Sequence, residues 1–189
     1  MPRSDDLYSL PQDLPVPVDD GACDHLPGLA LPSLPLPATS GGTVDLALLP
    51  GRTVVYCYPR TGRPDRDPLP GWNAVPGARG CTPQSCAFRD HHAELAALGA
   101  GVYGLSTQDL DYQREAAERL HLPFALLSDL RFQLIDALRL PTFELAGQRF
   151  VQRLTLILRD GVVEHMLYPV FPPDRNATDV VCYLRQGRV

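Results

Sequence analysis

The stretch GCTPQSCAFRDHHAELAALG, Gly80–Gly99, stands between two runs of strand character. Before it, RTVVYCY (Arg52–Tyr58) is rich in β-branched and aromatic residues and reads as a buried strand. After it, GVYGLS (Gly101–Ser106) reads as a second strand. Within the stretch, Phe88, His92, Leu95 and Leu98 recur at helical spacing, and Gly99 is placed to end the helix. The rest of the chain extends this strand–helix–strand order. Ser106 or Thr107 can cap a helix through DYQREAAERLHL, in which Glu115 and Arg119 sit four apart. FALLSD is a short strand, and a short helix follows over Arg131 to Leu138. TFELAGQRF is a small hairpin with Ala-Gly-Gln at its turn. QRLTLIL, the turn RDG and VVEHMLY form the strongest hairpin signal, and DRNATDVVCYLRQ closes as an amphipathic helix. The expected fold class is α/β, with a central mixed β-sheet flanked by helices.

Composition narrows the setting. A length of 189 residues suits one domain with a short appendage, and 44% hydrophobic residues can supply its core. The net charge is −5 and no long basic run occurs, so neither nucleic acid nor an anionic membrane is an expected partner. No apolar run approaches the ~18 residues of a membrane span. Most of the 20 prolines gather at Pro11–Pro37, at Pro59–Pro83 and in YPVFPPDR. The first group reads as an extended arm, residues 1–26, leading into a domain over residues 27–187. The acidic, proline-broken N-terminus lacks the apolar core of a signal peptide, so a reducing cytoplasm is the expected location. The five cysteines are an odd number, which argues against full pairing.

Two of those cysteines, Cys81 and Cys86, lie five apart around Thr82-Pro83. Pro83 suits the first turn of a helix, where its missing N–H is not needed. Cys81 then lies at the helix N-terminus or one residue before it, where unpaired N–H groups and the helix dipole favour a thiolate. A helix continuous through both cysteines separates them by ~7.5 Å of rise. That exceeds disulfide reach, which needs Cα atoms within ~7 Å. If Thr82 is instead the cap, the two positions pack together as a staple. Three chemistries fit the pair alone. It can be a reactive thiol with a resolving thiol, or a couple exchanging disulfides with other proteins. It can also be half of a zinc or redox-sensing site, Cys81, Cys86, His91 and His92. Against zinc, His92 shares a face with Phe88 and Leu95 and reads as a core histidine, and His91 reads as solvated. Cys57 and Cys182 read as buried small hydrophobes. Cys23, in the arm, reads as an idle exposed thiol. The Pro59–Pro83 segment, with the single tryptophan Trp72, reads as a surface loop; its functional alternatives are a lid or a docking surface for a reductant.

Several motifs together resemble the peroxiredoxins of the peroxiredoxin Q, or bacterioferritin comigratory protein, type. LPGLALPSLPLPATSGGTVDL resembles the family's opening segment, and VVYCYP its Y-F-Y-P strand. GCTPQSCAFRD matches G-C-T-x-x-A-C-x-F-R-D with Ser85 at the small residue; FALLSD and QRLTLILRDG follow in order. The resemblance covers Pro27 to Gln186 and implies a thioredoxin-like fold. It implies thiol-dependent reduction of hydrogen peroxide and organic hydroperoxides, by a monomer or weak dimer without metal or organic cofactor. It makes Cys81 the peroxidatic cysteine, oxidised to a sulfenic acid, and Cys86 the resolving cysteine of a Cys81–Cys86 disulfide. Arg153 would hold the thiolate and the peroxide oxygens, and Pro59 would shield the site. Thioredoxin or a similar dithiol would be the reductant. The chain departs from the family's P-x-x-x-T-x-x-C at one point. The position three before Cys81 is Ala78, the position seven before is Ala74, and about fifteen extra residues follow Pro59. Thr61 is the candidate replacement for the missing hydroxyl.

Overall fold

Alternation of side chains along one central strand divides this molecule into its layers. The computed structural model describes residues 6–187; residues 1–5 of the expected arm lie outside them. Two short strands, β1 (Pro35–Pro37) and β2 (Thr43–Asp45), pair antiparallel ahead of the central strand β3 (Arg52–Cys57). After the Pro59–Pro83 segment come α1 (Cys81–Asp90), α2 (His92–Ala97) and β4 (Ala100–Ser106). Next are α3 (Leu110–Arg119), β5 (Leu126–Ser128) and α4 (Gln133–Ala137). The hairpin β6 (Thr142–Leu145) and β7 (Gln148–Val151) precedes β8 (Leu154–Arg159), β9 (Val162–Leu167) and α5 (Asn176–Gln186). The main sheet has the order β5-β4-β3-β8-β9. β3, β4 and β5 run parallel, and β8 and β9 are antiparallel additions, so the sheet is mixed as expected.

Because side chains alternate across a strand, β3 feeds two cores. Val54 and Tyr56, with Tyr58 beyond the strand, face Phe88, Leu95, Ala116, Val180 and Leu184 from the helices. Val55 and Cys57 face Leu26, Leu31 and Leu36 from the N-terminal segment and Leu134 and Ile135 of α4. Cys23 lies in that second core and is fully buried, which corrects its reading as an exposed thiol. Cys57 is buried as expected, whereas Cys182 on α5 is exposed, not buried.

Local chemistry sets several boundaries differently from the pattern reading. The helix after Cys86 is interrupted at His91, whose backbone leaves the helical region between α1 and α2. Asp109, not Ser106 or Thr107, caps α3: its carboxylate accepts from the Tyr112 N–H at 2.8 Å. Ser106 is engaged elsewhere, donating to the Pro59 carbonyl. The β6–β7 turn is the two residues Ala146-Gly147, and the β8–β9 turn is Asp160-Gly161. All four have positive φ, the conformation that tight hairpin turns require. At Gly161 a Cβ would lie 2.2 Å from the Ala47 carbonyl oxygen, so glycine is obligatory there. β8 starts at Leu154, which leaves Gln152 and Arg153 in the link from β7.

Candidate active site

Cys81 is the first residue of α1, and Gly80 is its N-cap. Gly80 has φ +104°, and a Cβ there would lie 2.7 Å from both Leu10 Cδ2 and Pro173 Cγ. Only glycine lets the N-terminal segment and the turn before α5 close together over this helix end. The first N–H groups of a helix have no intrahelical acceptor, so this terminus is electropositive.

The sulfur of Cys81 is 3% exposed as a residue and sits against Arg153. Arg153 Nη2 donates to Cys81 Sγ at 3.1 Å and to the carbonyls of Ala78 and Arg79. Its Nε donates to the Gly77 carbonyl, and its Nη1 to Gln84 Oε1. The thiol itself lies 3.6 Å from the Ala78 carbonyl, to which it donates. Arg153 is only 3% exposed, and none of the salt bridges among the described residues involves it. A buried cation surrounded by neutral carbonyls is costly unless an anion compensates it, and the Cys81 sulfur is the group in contact that can become one.

A polar chain fixes this arginine. Gln84 Nε2 donates to Asn176 Oδ1 at 2.8 Å, and Thr155 Oγ1 donates to the same oxygen at 2.8 Å. Gln84, Asn176 and Thr155 are all buried, so the chain links α1, α5 and β8 behind the cysteine. None of the three belongs to a motif that marks it as a site residue in the sequence. Polar residues in otherwise apolar helical faces are the signal that marks Gln84 and Asn176. Behind α1, Tyr56 donates to Ser85 Oγ at 3.1 Å and stacks on Phe88 with centroids 4.4 Å apart. Gly104 on β4 makes room for that ring, since a Cβ there would lie 2.8 Å from Tyr56 Cζ.

In front of Cys81 is a small cleft of about 30 Å³. Arg60, Thr61, Arg79, Gly80, Cys81 and Thr82 are among its walls, with Trp72 and Leu7. Its volume matches two or three water-sized positions, at ~10–15 Å³ each. Residues 60–72 thus form one wall of the cleft. Trp72 itself is buried, packed on Phe150 (5.2 Å) and Phe143 (6.0 Å), so this loop is anchored and not merely a surface excursion. Ala78 is fully buried in the same cluster, which holds its carbonyl in place for Arg153. Thr61 is brought to the cleft, yet its hydroxyl and its N–H both donate to Gln108 Oε1, at 3.1 and 2.9 Å. Pro59 is buried one residue farther back and does not line the cleft.

Cys86 lies one and a half turns along α1, half-buried, and both cysteines are free thiols. Burial pushes the Cys86 thiol up, partly offset by Arg89. Cys23 is pushed up to about 12 by burial and by Asp20, Asp19 and Asp24. Burial likewise raises Cys57. His91 and His92 do not join the cysteines: His91 Nδ1 is 2.9 Å from the Ala87 carbonyl, and His92 packs on Phe124. Among the described residues no group of three or more His, Cys, Asp or Glu converges to hold a metal ion.

Comparison with known proteins adds to this geometry. The Redoxin family matches residues 25–181. Peroxiredoxin Q, chloroplastic, of Oryza sativa subsp. japonica is 30% identical over 159 residues, covering 84% of this chain and 66% of the rice protein. Peroxiredoxin Bcp of Bacillus subtilis (strain 168) is 32% identical over 111 residues, 58% of this chain and 61% of that one. The chain therefore spans about two thirds of the length of the curated relatives it matches. Among solved structures, Peroxidoxin BcpB from Mycobacterium tuberculosis aligns with a TM-score of 0.70 at 26% identity, covering 87% of this chain and 100% of that one.

Proposed function

Because the chain belongs to the redoxin family, and within it to the peroxiredoxins of the Q and Bcp type, we propose that it is a thiol-dependent peroxidase whose attacking group is Cys81. The substrates are hydrogen peroxide and organic hydroperoxides. The observation that carries this reading is the 3.1 Å contact of the buried Arg153 guanidinium with Cys81 Sγ, beside a cleft sized for a few oxygen atoms.

The Cys81 thiolate attacks one peroxide oxygen in line with the O–O bond. An S–O bond forms, the O–O bond breaks, and the departing oxygen takes a proton and leaves as water or alcohol. Sulfur is oxidised by two electrons to a sulfenic acid and the peroxide is reduced by the same two. The Arg153 donors are aimed before the reaction at the place where negative charge moves from sulfur to oxygen. The polar chain through Gln84 and Asn176 holds them there. Cys86 then condenses with the sulfenic acid, water leaves, and a Cys81–Cys86 disulfide remains. An external dithiol, thioredoxin or one like it, reduces that disulfide by exchange.

The test is a peroxide-consumption assay coupled to a thioredoxin system. The wild-type chain consumes hydrogen peroxide catalytically, and Cys81→Ser does not. Turnover by Cys81→Ser near the wild-type rate would reject Cys81 as the attacking thiol.

A further inference from the structure

The relatives' motif puts a hydroxyl three residues before the attacking cysteine, and here that position is Ala78. A small cleft that must hold a peroxide needs a donor there or nearby. Several hydroxyl and amide groups surround Cys81, and those of Thr61 and Gln84 are committed. Thr61 Oγ1 donates its one proton to Gln108 Oε1, an acceptor-only oxygen; the Gln108 amide nitrogen faces the Thr61 carbonyl at 3.4 Å, which fixes that orientation. Gln84 spends its carbonyl on Arg153 and its amide on Asn176. Thr82, the residue after Cys81, is not committed. It is 2% exposed, lines the cleft with Cys81, and its Oγ1 is buried without any hydrogen-bond partner.

A buried hydroxyl left unmatched is destabilising, so a partner is expected when the cleft is filled. We infer that Thr82 replaces the missing hydroxyl: its Oγ1 hydrogen-bonds a peroxide oxygen lying against Cys81 Sγ, which makes it a substrate-contacting residue of this chain. Thr61, with its proton engaged, offers lone pairs only, and so can accept the proton of a peroxide O–H on the opposite wall. The unpaired N–H groups that open α1 add donors on the Thr82 side. The cleft then has a donor wall at Thr82 and an acceptor wall at Thr61, which suits a ligand that is both donor and acceptor, while Arg153 holds the Cys81 sulfur from behind. This inference rests on the peroxidase reading above.

The experiment compares the rate at which peroxide oxidises Cys81 with the rate at which chloroacetamide alkylates it. Both rates report the thiolate, but only the first needs an O–O bond to be bound. Thr82→Val keeps shape and removes the hydroxyl; Thr82→Ser keeps the hydroxyl. Thr82→Val is expected to lose roughly 10² in the peroxide rate, the scale of one aimed donor, with alkylation unchanged within about twofold. Thr82→Ser is expected to recover to within about threefold of wild type. Thr82→Ala, with the wild-type circular dichroism spectrum, serves as the second deletion of the hydroxyl and is expected to behave as Thr82→Val. A Thr82→Val protein that reacts with peroxide as fast as wild type would overturn the assignment, and so would an equal loss in both rates, because the hydroxyl would then act on the thiol or the helix and not on peroxide. A wild-type chain inert to peroxide yet normally alkylated at Cys81 would overturn the peroxidase reading itself and this inference with it.

Discussion

Arg153 is where one residue carries most of the chemical argument. Its planar fork spreads five donor contacts over three carbonyls, one amide oxygen and the Cys81 sulfur. A lysine has one compact ammonium and cannot meet those directions together. Arg153→Lys and Arg153→Ala are therefore both expected to slow oxidation of Cys81 by peroxide by roughly 10²–10³, measured by stopped-flow fluorescence. A lysine variant within threefold of wild type would show that charge alone suffices and that the fork has no special part. Cys81 and Arg153 were legible in the sequence because each sits in a local motif. The residues that hold Arg153 were not. Gln84 meets it across 69 positions and is itself held by Asn176 across 92, and no local period or spacing records such partners. Thr61 shows the opposite limit: its place near the sulfur was legible, but the hydrogen bond that engages its proton was not.

At the scale of the element, α1 decides how the proposed Cys81–Cys86 disulfide can form. The helix is continuous from Cys81 to Asp90, so the two cysteines are held about five residues of helical rise apart, ~7.5 Å. That is the first of the two arrangements left open by the sequence, and it places the Cα atoms beyond disulfide reach. Closing the bond requires the first turns of α1, Thr82 to about Arg89, to unwind. The cost is a few hydrogen bonds of ~1 kcal/mol each. The oxidised protein is therefore expected to exchange amide hydrogens faster over residues 82–89 than the reduced protein, and trypsin to cut more readily at Arg89. Reductant should reverse both. Equal protection in the two states, with the disulfide confirmed by mass, would mean that α1 never opens. The strands and helices were legible because apolar residues repeat at two or at about 3.6 positions. Their ends were less so. Asp109 outcompetes Ser106 as the cap of α3 because Ser106 is drawn to the Pro59 carbonyl, a contact 47 positions away.

Across the whole molecule, the thioredoxin-like α/β sheet supplies a rigid back, and two irregular segments supply the front. The parallel strand β3 delivers Tyr56, with Tyr58 just beyond it, beneath α1, and the antiparallel β8 begins beside Arg153. The N-terminal segment reaches over the site: Leu7 lines the cleft, Leu10 packs on Gly80, and the Asp6 carbonyl accepts from Arg79 at 2.6 Å. The Pro59–Pro83 segment closes the other side through Trp72. Proline-rich composition marked these stretches as mostly irregular, although Pro35–Pro37 forms the short strand β1 and Pro83 lies in the first turn of α1. It could not tell where they pack, because each is placed by single contacts and not by a repeat. The central claim, that Cys81 is oxidised and Cys86 resolves it, is tested most directly by peptide mass spectrometry after one equivalent of hydrogen peroxide. The account predicts loss of two hydrogens with Cys81 joined to Cys86, and in Cys86→Ser one added oxygen on Cys81. An added oxygen on Cys86 with Cys81 unmodified, or a disulfide that omits Cys81, would contradict it.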